Sequence, residues 1–369
     1  MKGKDRNKPC WCGSGRKYKK CHYRRDTQSR ENPWAAVAAN KKAFSAKRCF
    51  AQDVGLGECD GNVIRAHTVS RGSNLSAIAE EGHVLHYTND VAKMVKNGSK
   101  LTIEKVGLKN ASVFNGFCSK HDRELFSCLE NETFLGRADQ CLAATFRTMT
   151  RELYGKDAAS HLRETLRSGD KGLHPRQQAL YQQMLEDADK GNAAARRELT
   201  ATLVALTKAM SSGNTDSLGF VVLEFETDLP FMFAGAWTPF TDLYGGELQI
   251  GYLEALLQQV CFTSFATSEG TMICISWSDS MDAPGKIIAE QIRALPSEQQ
   301  ASVCLQIVTK HIENIFFKPS WFEALSDEQR EQLDLLAFDG MDARGLVPSI
   351  PLRFDIGFGL PLAAKVIVS

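Results

Sequence analysis

Cys10, Cys12, Cys21 and His22 place three thiols and an imidazole within 13 positions of the chain. That set is enough to close a tetrahedral shell around a zinc ion, which favours sulfur and nitrogen donors. Gly13-Ser14-Gly15 lets the backbone fold back sharply after the first two cysteines. Trp11 and Tyr18 are the only sizeable hydrophobes in the segment, too few to form a core. Metal binding of about 10 kcal/mol or more is therefore expected to serve as its folding energy. The same segment carries Arg16, Lys17, Lys19 and Lys20, a charge pattern suited to phosphates or carboxylates.

A second constellation is spread more widely. Cys49 and Cys59 lie on the approach to His67, and Cys118-Ser-Lys-His121 follows much later. A Cys-x-x-His pair at a helix start supplies two donors on one side. A cysteine pair on an upstream loop can supply the other two, which is the layout of a treble-clef zinc site. A second structural zinc on Cys49, Cys59, Cys118 and His121 is expected, the alternative being buried thiols and a polar histidine. The chain has eleven cysteines, six of them before residue 120. In a cytosolic chain such clustering points to metal rather than to disulfides. Cys128, Cys141, Cys261, Cys274 and Cys304 stand among apolar neighbours and read as small buried hydrophobes.

The segment Asn7-Lys-Pro-Cys10-Trp-Cys12-Gly-Ser-Gly15, with its basic-aromatic middle and closing Cys21-His22, resembles the SEC-C motif. That motif ends the SecA translocase and is appended to many otherwise unrelated bacterial proteins. The resemblance covers about 17 residues and implies that Cys10, Cys12, Cys21 and His22 ligate zinc. It also implies a docking role, since the SecA tail contacts a chaperone and ribosomes, although here the motif stands near the amino end. A weaker likeness concerns Ile64-Arg-Ala-His67-Thr-Val-Ser70, which resembles the strand bearing the first histidine of HNH nucleases. It implies His67 as a base that activates water, with Asn115 or Asp122 holding a metal. Ala66 stands where the HNH pattern has an acidic residue, and Asp122 where it has its last histidine. The bottom-up reading instead makes His67 a further zinc ligand or a hydrogen-bonded fold residue.

Other motifs lead nowhere. No Walker A sequence occurs, and Gly55-Leu-Gly-Glu-Cys-Asp-Gly61 is only superficially similar to a dinucleotide loop. His83 and His86, three apart on an extended segment, face opposite ways and make a poor chelating pair. Asp279, Asp282, Asp339, Asp342 and Asp355 read as solvated loop residues.

The elements that must position these groups are partly visible. Asn32-Pro33 caps a helix near Trp34 to Phe44. Leu199, Leu203, Leu206 and Met210 share one helical face, and the glycines at 169–172 and Gly191-Asn192 divide the region into separate helices. Strands are expected at 219–226 and 231–237, and a hairpin at 260–265 and 271–277. Helices near 285–294, 297–315 and 326–337 follow, with capping boxes at Ser297/Gln300 and Ser326/Gln329. The domains expected are a knuckle at 1–23, a linker with a treble-clef-like module at 24–122, a helical region at 123–212 and an α+β domain at 213–369.

Charge adds a direction. Residues 1–50 hold 15 Lys and Arg against 3 Asp and Glu, leaving a balance of −12 for the rest of this neutral chain. A basic head on an acidic body is expected to meet an anionic macromolecule, whether RNA, DNA or an acidic protein surface, through residues 1–25. No membrane span is expected. The opening residues lack the apolar run of a secretory signal, so a cytoplasmic location follows. The chain reads as an α+β multidomain, zinc-binding interaction protein, with a diverged HNH-type nuclease in host defence as the alternative.

Overall fold

The structure is a computed structural model and describes residues 5–88, 101–251, 256–278, 283–341 and 349–369. Asp279, Asp282 and Asp342 lie outside the described residues. The fold is α+β, and the chain divides into two compact units. One holds residues 1–46 and 155–196, the other residues 47–154 and 197–369. No helix among the described residues is long and apolar enough to cross a membrane.

The smaller unit is the Cys- and His-bearing segment around residues 5–25 with helical neighbours. Helix Pro33–Ala43 starts as its sequence requires, with Asn32 Oδ1 accepting from Trp34 N at 3.0 Å. Helix Ala138–Leu166 supplies its last residues to this unit, and a single 3₁₀ turn, Arg167–Asp170, follows. Gly172, at φ +69°, then reverses the chain into helix Pro175–Ser212. That helix runs through Gly191-Asn192, where the sequence reading expected a break. A helical glycine costs only about 1 kcal/mol against alanine. Asn192 Nδ2 offsets part of that by donating to Lys156 O at 2.9 Å.

Among the described residues the larger unit is built on eight antiparallel strands in the order β10-β5-β8-β7-β6-β9-β2-β3. Their ranges are β2 His83–Thr88, β3 Thr102–Gly107, β5 Leu218–Phe225, β6 Phe231–Trp237, β7 Val260–Ala266, β8 Thr271–Ser278, β9 Ile315–Phe317 and β10 Ala363–Val368. The 260–277 hairpin forms as expected, whereas β5 and β6 are not neighbours, since β8 and β7 lie between them. The central strands read as almost unbroken apolar runs because both faces are buried. On one face Val221, Leu223, Ile273 and Ile275 pack with Ile288 and Ile292 of helix Pro284–Ala294 and with Leu305 of helix Ser297–His311. On the other, Phe220, Val222 and Cys274 pack with Phe146, Leu199, Leu203 and Leu206. Ser326 and Gln329 form the expected capping box. Ser297 and Gln300 do not, because Gln300 Nε2 reaches back to the carbonyls of Arg293 and Leu295 instead.

A separate two-stranded ladder pairs β1, Val63–His67, with β4, Val113–Cys118, and leads into helix Ser119–Glu130. Phe114, Phe117 and Phe126 anchor this piece in the core. Its register sets Val63 opposite Cys118 and His67 opposite Val113, so the two histidine-bearing regions occupy opposite ends of the ladder.

Candidate metal centres

In the first group the ligand atoms of Cys10, Cys12, Cys21 and His22 all lie within 4.8 Å of one another. His22 Nδ1 is 3.1 Å from Cys10 Sγ and 3.2 Å from Cys21 Sγ, and the Cys12 and Cys21 sulfurs are 3.6 Å apart. The backbone holds this shape by pairing Cys10 N with Arg16 O at 2.8 Å and Tyr18 N with Lys8 O at 2.9 Å. Gly13 and Gly15, at φ +69° and +70°, make the reversal between those pairs.

The thiols are not equivalent. Burial pushes the Cys10 thiol up to about 12. Burial also acts on Cys12, but hydrogen bonds from Ser14 and from the Cys21 and Cys10 thiols outweigh it and bring Cys12 down to about 7. Cys12 therefore ionises more readily than Cys10, and a divalent cation must displace the Cys10 proton to be held there.

Behind His22 stands a residue the sequence did not single out. Asp170, fully buried, accepts from His22 Nε2 at 2.8 Å, from Arg25 Nε at 2.5 Å and from Gln182 Nε2 at 2.8 Å. Burial alone would raise its carboxyl, yet these donors hold it below the ordinary carboxylate range. A carboxylate only accepts, so Nε2 carries the imidazole proton and Nδ1 turns its lone pair toward the sulfurs. Arg167 reinforces the link by donating from Nη1 to Cys12 O at 3.0 Å. No local pattern announces Asp170, which is 148 positions from His22 in a turn of ordinary composition.

The second group, Cys49, Cys59, Cys118 and His121, is equally tight. His121 Nδ1 lies 3.2 Å from Cys49 Sγ and 3.3 Å from Cys118 Sγ. Cys49 precedes the short helix Phe50–Asp53, Cys59 sits on the following loop, and Cys118 ends β4 while capping helix Ser119–Glu130. Asp60 fixes the loop to that helix, accepting from Lys120 N at 3.0 Å and from Ser119 Oγ. The Ser119 hydroxyl, with the Asn62 amide, draws the Asp60 carboxyl down to about 2. His121 differs from His22 in one respect: its outer nitrogen, Nε2, is buried with no hydrogen-bond partner. Both quartets are compatible with a tetrahedral metal ion.

The remaining sequence candidates fall elsewhere. His67, the last residue of β1, joins neither quartet, so it is not a further ligand there. Its Nδ1 is buried without a partner, and burial lowers its basicity, with Arg71 adding to the effect. Asp122, on helix Ser119–Glu130, is raised by burial against the pull of Arg147. Both residues sense the Arg147–Glu130 ion pair, in which Glu130 also accepts from Ser70 Oγ at 3.0 Å. Asn115 lies on β4 and bonds to Tyr154. His83 is exposed, while His86 bonds through Nδ1 to Ile315 O at 2.9 Å. Cys141, Cys261, Cys274 and Cys304 are fully buried, as their neighbours foretold, and Cys128 is half-buried.

No curated protein and no solved structure matches this chain. Residues 6–24 match the family described as SEC-C motif, a span that begins just before Cys10 and ends just after His22. What the comparison and the geometry establish together is that the chain carries a SEC-C motif whose four hallmark Cys and His residues converge on one point.

Proposed function

We propose that both quartets hold zinc and that the SEC-C knuckle docks this protein on an anionic macromolecule in the cytoplasm. One observation carries the docking reading. Arg16, Lys17, Lys19 and Lys20 are all exposed on a loop whose two ends are tied together by Cys10, Cys12, Cys21 and His22. Fixed cations lose less entropy on binding than those of a free tail, and they attract RNA, DNA or acidic protein faces alike. Thiolate-rich quartets with one imidazole suit zinc above harder ions. The second zinc organises the region around β1 and β4.

Two measurements test this reading. Native mass spectrometry of the whole chain should find two zinc ions, and one in Cys21→Ser. Anisotropy titrations with single-stranded RNA, duplex DNA and polyaspartate should show binding to at least one polyanion, weakened when Lys17, Lys19 and Lys20 are changed together to Gln. Failure to bind any of the three overturns docking.

A second reading is a metal-dependent nuclease with His67 as base and Asp122 as metal holder. The observation favouring it is the arrangement of β1, β4 and helix Ser119–Glu130, with the unpartnered His67 Nδ1 at one strand end. Plasmid and RNA digestion with Mg²⁺ or Mn²⁺, lost in His67→Ala, would support it, and digestion that survives the substitution would remove it.

A further inference from the structure

Strand β10, Ala363–Val368, ends the large sheet on one side, and among the described residues no strand follows it there. Its sequence, Ala-Ala-Lys-Val-Ile-Val, has neither proline nor glycine and a single charge. That charge is drawn back over the sheet, where Lys365 Nζ stands 3.9 Å from Glu224 Oε2 of β5. The opposite edge, β3, is built otherwise, with Glu104 and Lys105 adjacent at its middle. Charges of that kind keep a free edge from pairing, and an apolar edge without them is a template for another strand.

The bonds to β5 fix which way β10 turns its backbone. Glu226 N donates to Leu362 O at 3.2 Å, and Ser369 N donates to Phe220 O at 3.2 Å. The register sets Lys365 opposite Glu224 and Ile367 opposite Val222, so these residues bond inward in the same alternation. Val366 and Val368 therefore direct their N–H and C=O groups away from the sheet. The extra residue of the ladder, Ala364, falls at the start of this regular stretch. Val366 and Val368 lie opposite Leu223 and Val221, yet they are 36% and 52% exposed. The other face adds apolar surface, since Ile367 packs on Gly136 and the adjoining Leu135 is 55% exposed.

We propose that this edge pairs with the same edge of a second copy, antiparallel and about a two-fold axis at Val366, joining two sheets into one. The strand is complementary to itself in that register. Val366 of each copy faces Val366 of the other, Ala364 faces Val368, and the Lys365 stem lies over Ile367. The backbone groups meeting at the axis are those that β5 leaves free, and no like charges are opposed. A register centred on Lys365 would set two ammonium groups against each other and call on backbone groups already bonded to β5. One centred on Ile367 would make the same demand on the backbone.

Such a contact uses the same patch on both copies, so it closes as a dimer and leaves no free β10 edge for further growth. A strand edge alone covers less than the roughly 1,200 Å² of a permanent interface, so a dimer in exchange with monomer is expected. Pairing at β10 involves neither Cys/His quartet nor the basic loop.

The test uses the full-length, zinc-loaded protein. Sedimentation velocity between about 1 and 100 µM should show monomer giving way to dimer. Over the same range the Val366 and Val368 amides should exchange hydrogen about tenfold more slowly, since each gains an acceptor only in the pair. Val366→Lys and Val366→Glu should each weaken association about tenfold, because like charges then stand opposite each other across the axis. Mixing the two variants should restore the dimer, with Lys facing Glu, a rescue that a folding defect would not permit. Lys105→Glu, on the far edge, should associate as the native chain does. A native chain that stays monomeric with unchanged amide exchange overturns the pairing, whatever the variants do. It does so even if an added peptide with the sequence of residues 363–368 binds, since the edge then takes a foreign strand. A dimer that both charged variants form as readily as the native chain lies elsewhere on the surface. A mixture no tighter than its components overturns the two-fold at Val366.

Discussion

His22 Nε2 meets the buried carboxylate of Asp170 at 2.8 Å, so the imidazole of the knuckle is aimed from behind by a residue of another element. His121, in the equivalent place of the second group, has no such partner on its outer nitrogen. Outer acceptors fix the tautomer and raise the basicity of a ligating histidine. The two centres should therefore differ in how they lose metal.

Asp170→Asn is expected to lower the affinity of the first centre for zinc by about tenfold to a hundredfold. Competition with a calibrated chelator checks this, with the second centre of the same molecule as internal reference. Equal release from both the variant and the native first centre would show that Asp170 merely packs.

Removing a ligand should have unequal consequences. Cys21 is half-buried on a loop, whereas Cys118 is wholly buried between β4 and the helix it caps. Cys21→Ser should free the amides of Cys10 and Tyr18 to exchange hydrogen rapidly while leaving the larger unit protected. Cys118→Ser should destabilise that larger unit by about 2 kcal/mol or more, through a lost ligand and a buried hydroxyl. Hydrogen exchange followed by mass spectrometry distinguishes the two outcomes.

Acidification should strip the first centre in a defined direction. Its thiols bind metal only when ionised, and Cys12, more acidic than Cys10, already sits at about 7 without metal. Zinc occupancy at fixed total metal should therefore fall as pH drops below neutrality. Asp170 adds a second effect. Its carboxyl is depressed in the folded protein, so its contribution to stability is present above the ordinary carboxylate range and fades as pH falls through the folded value. Metal content and thermal melting, recorded together from pH 8 downward, should show zinc loss first and unfolding later. The reverse order would contradict the assignment of the thiols.

Gly270 turns the β7–β8 hairpin at φ +142°, where an added Cβ would meet Phe225 O at 2.2 Å. Gly270→Ala is expected to destabilise the larger unit by about 2–3 kcal/mol, read as a shift in its denaturation midpoint. An unchanged midpoint would mean that the turn relaxes without strain.

How far these features could be read in the residues depends on distance along the chain. The first quartet is contiguous, and donor type and spacing are enough to mark it. Cys118 and His121 were marked by their three-residue offset at a helix start, which the cap at Cys118 explains. The 260–277 hairpin was legible because its turn residues and apolar runs agree. Asp170 was not, since its role arises only when residues far apart in sequence are brought together. The continuity of helix Pro175–Ser212 through Gly191 was hidden for a related reason, the Asn192–Lys156 bond. β9 is three residues long and β10 joins the sheet only as an edge on β5, too little pattern to declare a strand.

The carboxylate behind His22 also bears on how transferable the SEC-C segment is. Cut away from this protein, residues 5–25 would leave behind a carboxylate with two of its three donors gone. Spliced onto a foreign carrier, the same residues would arrive with an imidazole whose outer nitrogen meets only solvent. Here the segment is one half of a lock, and its other half is encoded in the middle of the chain.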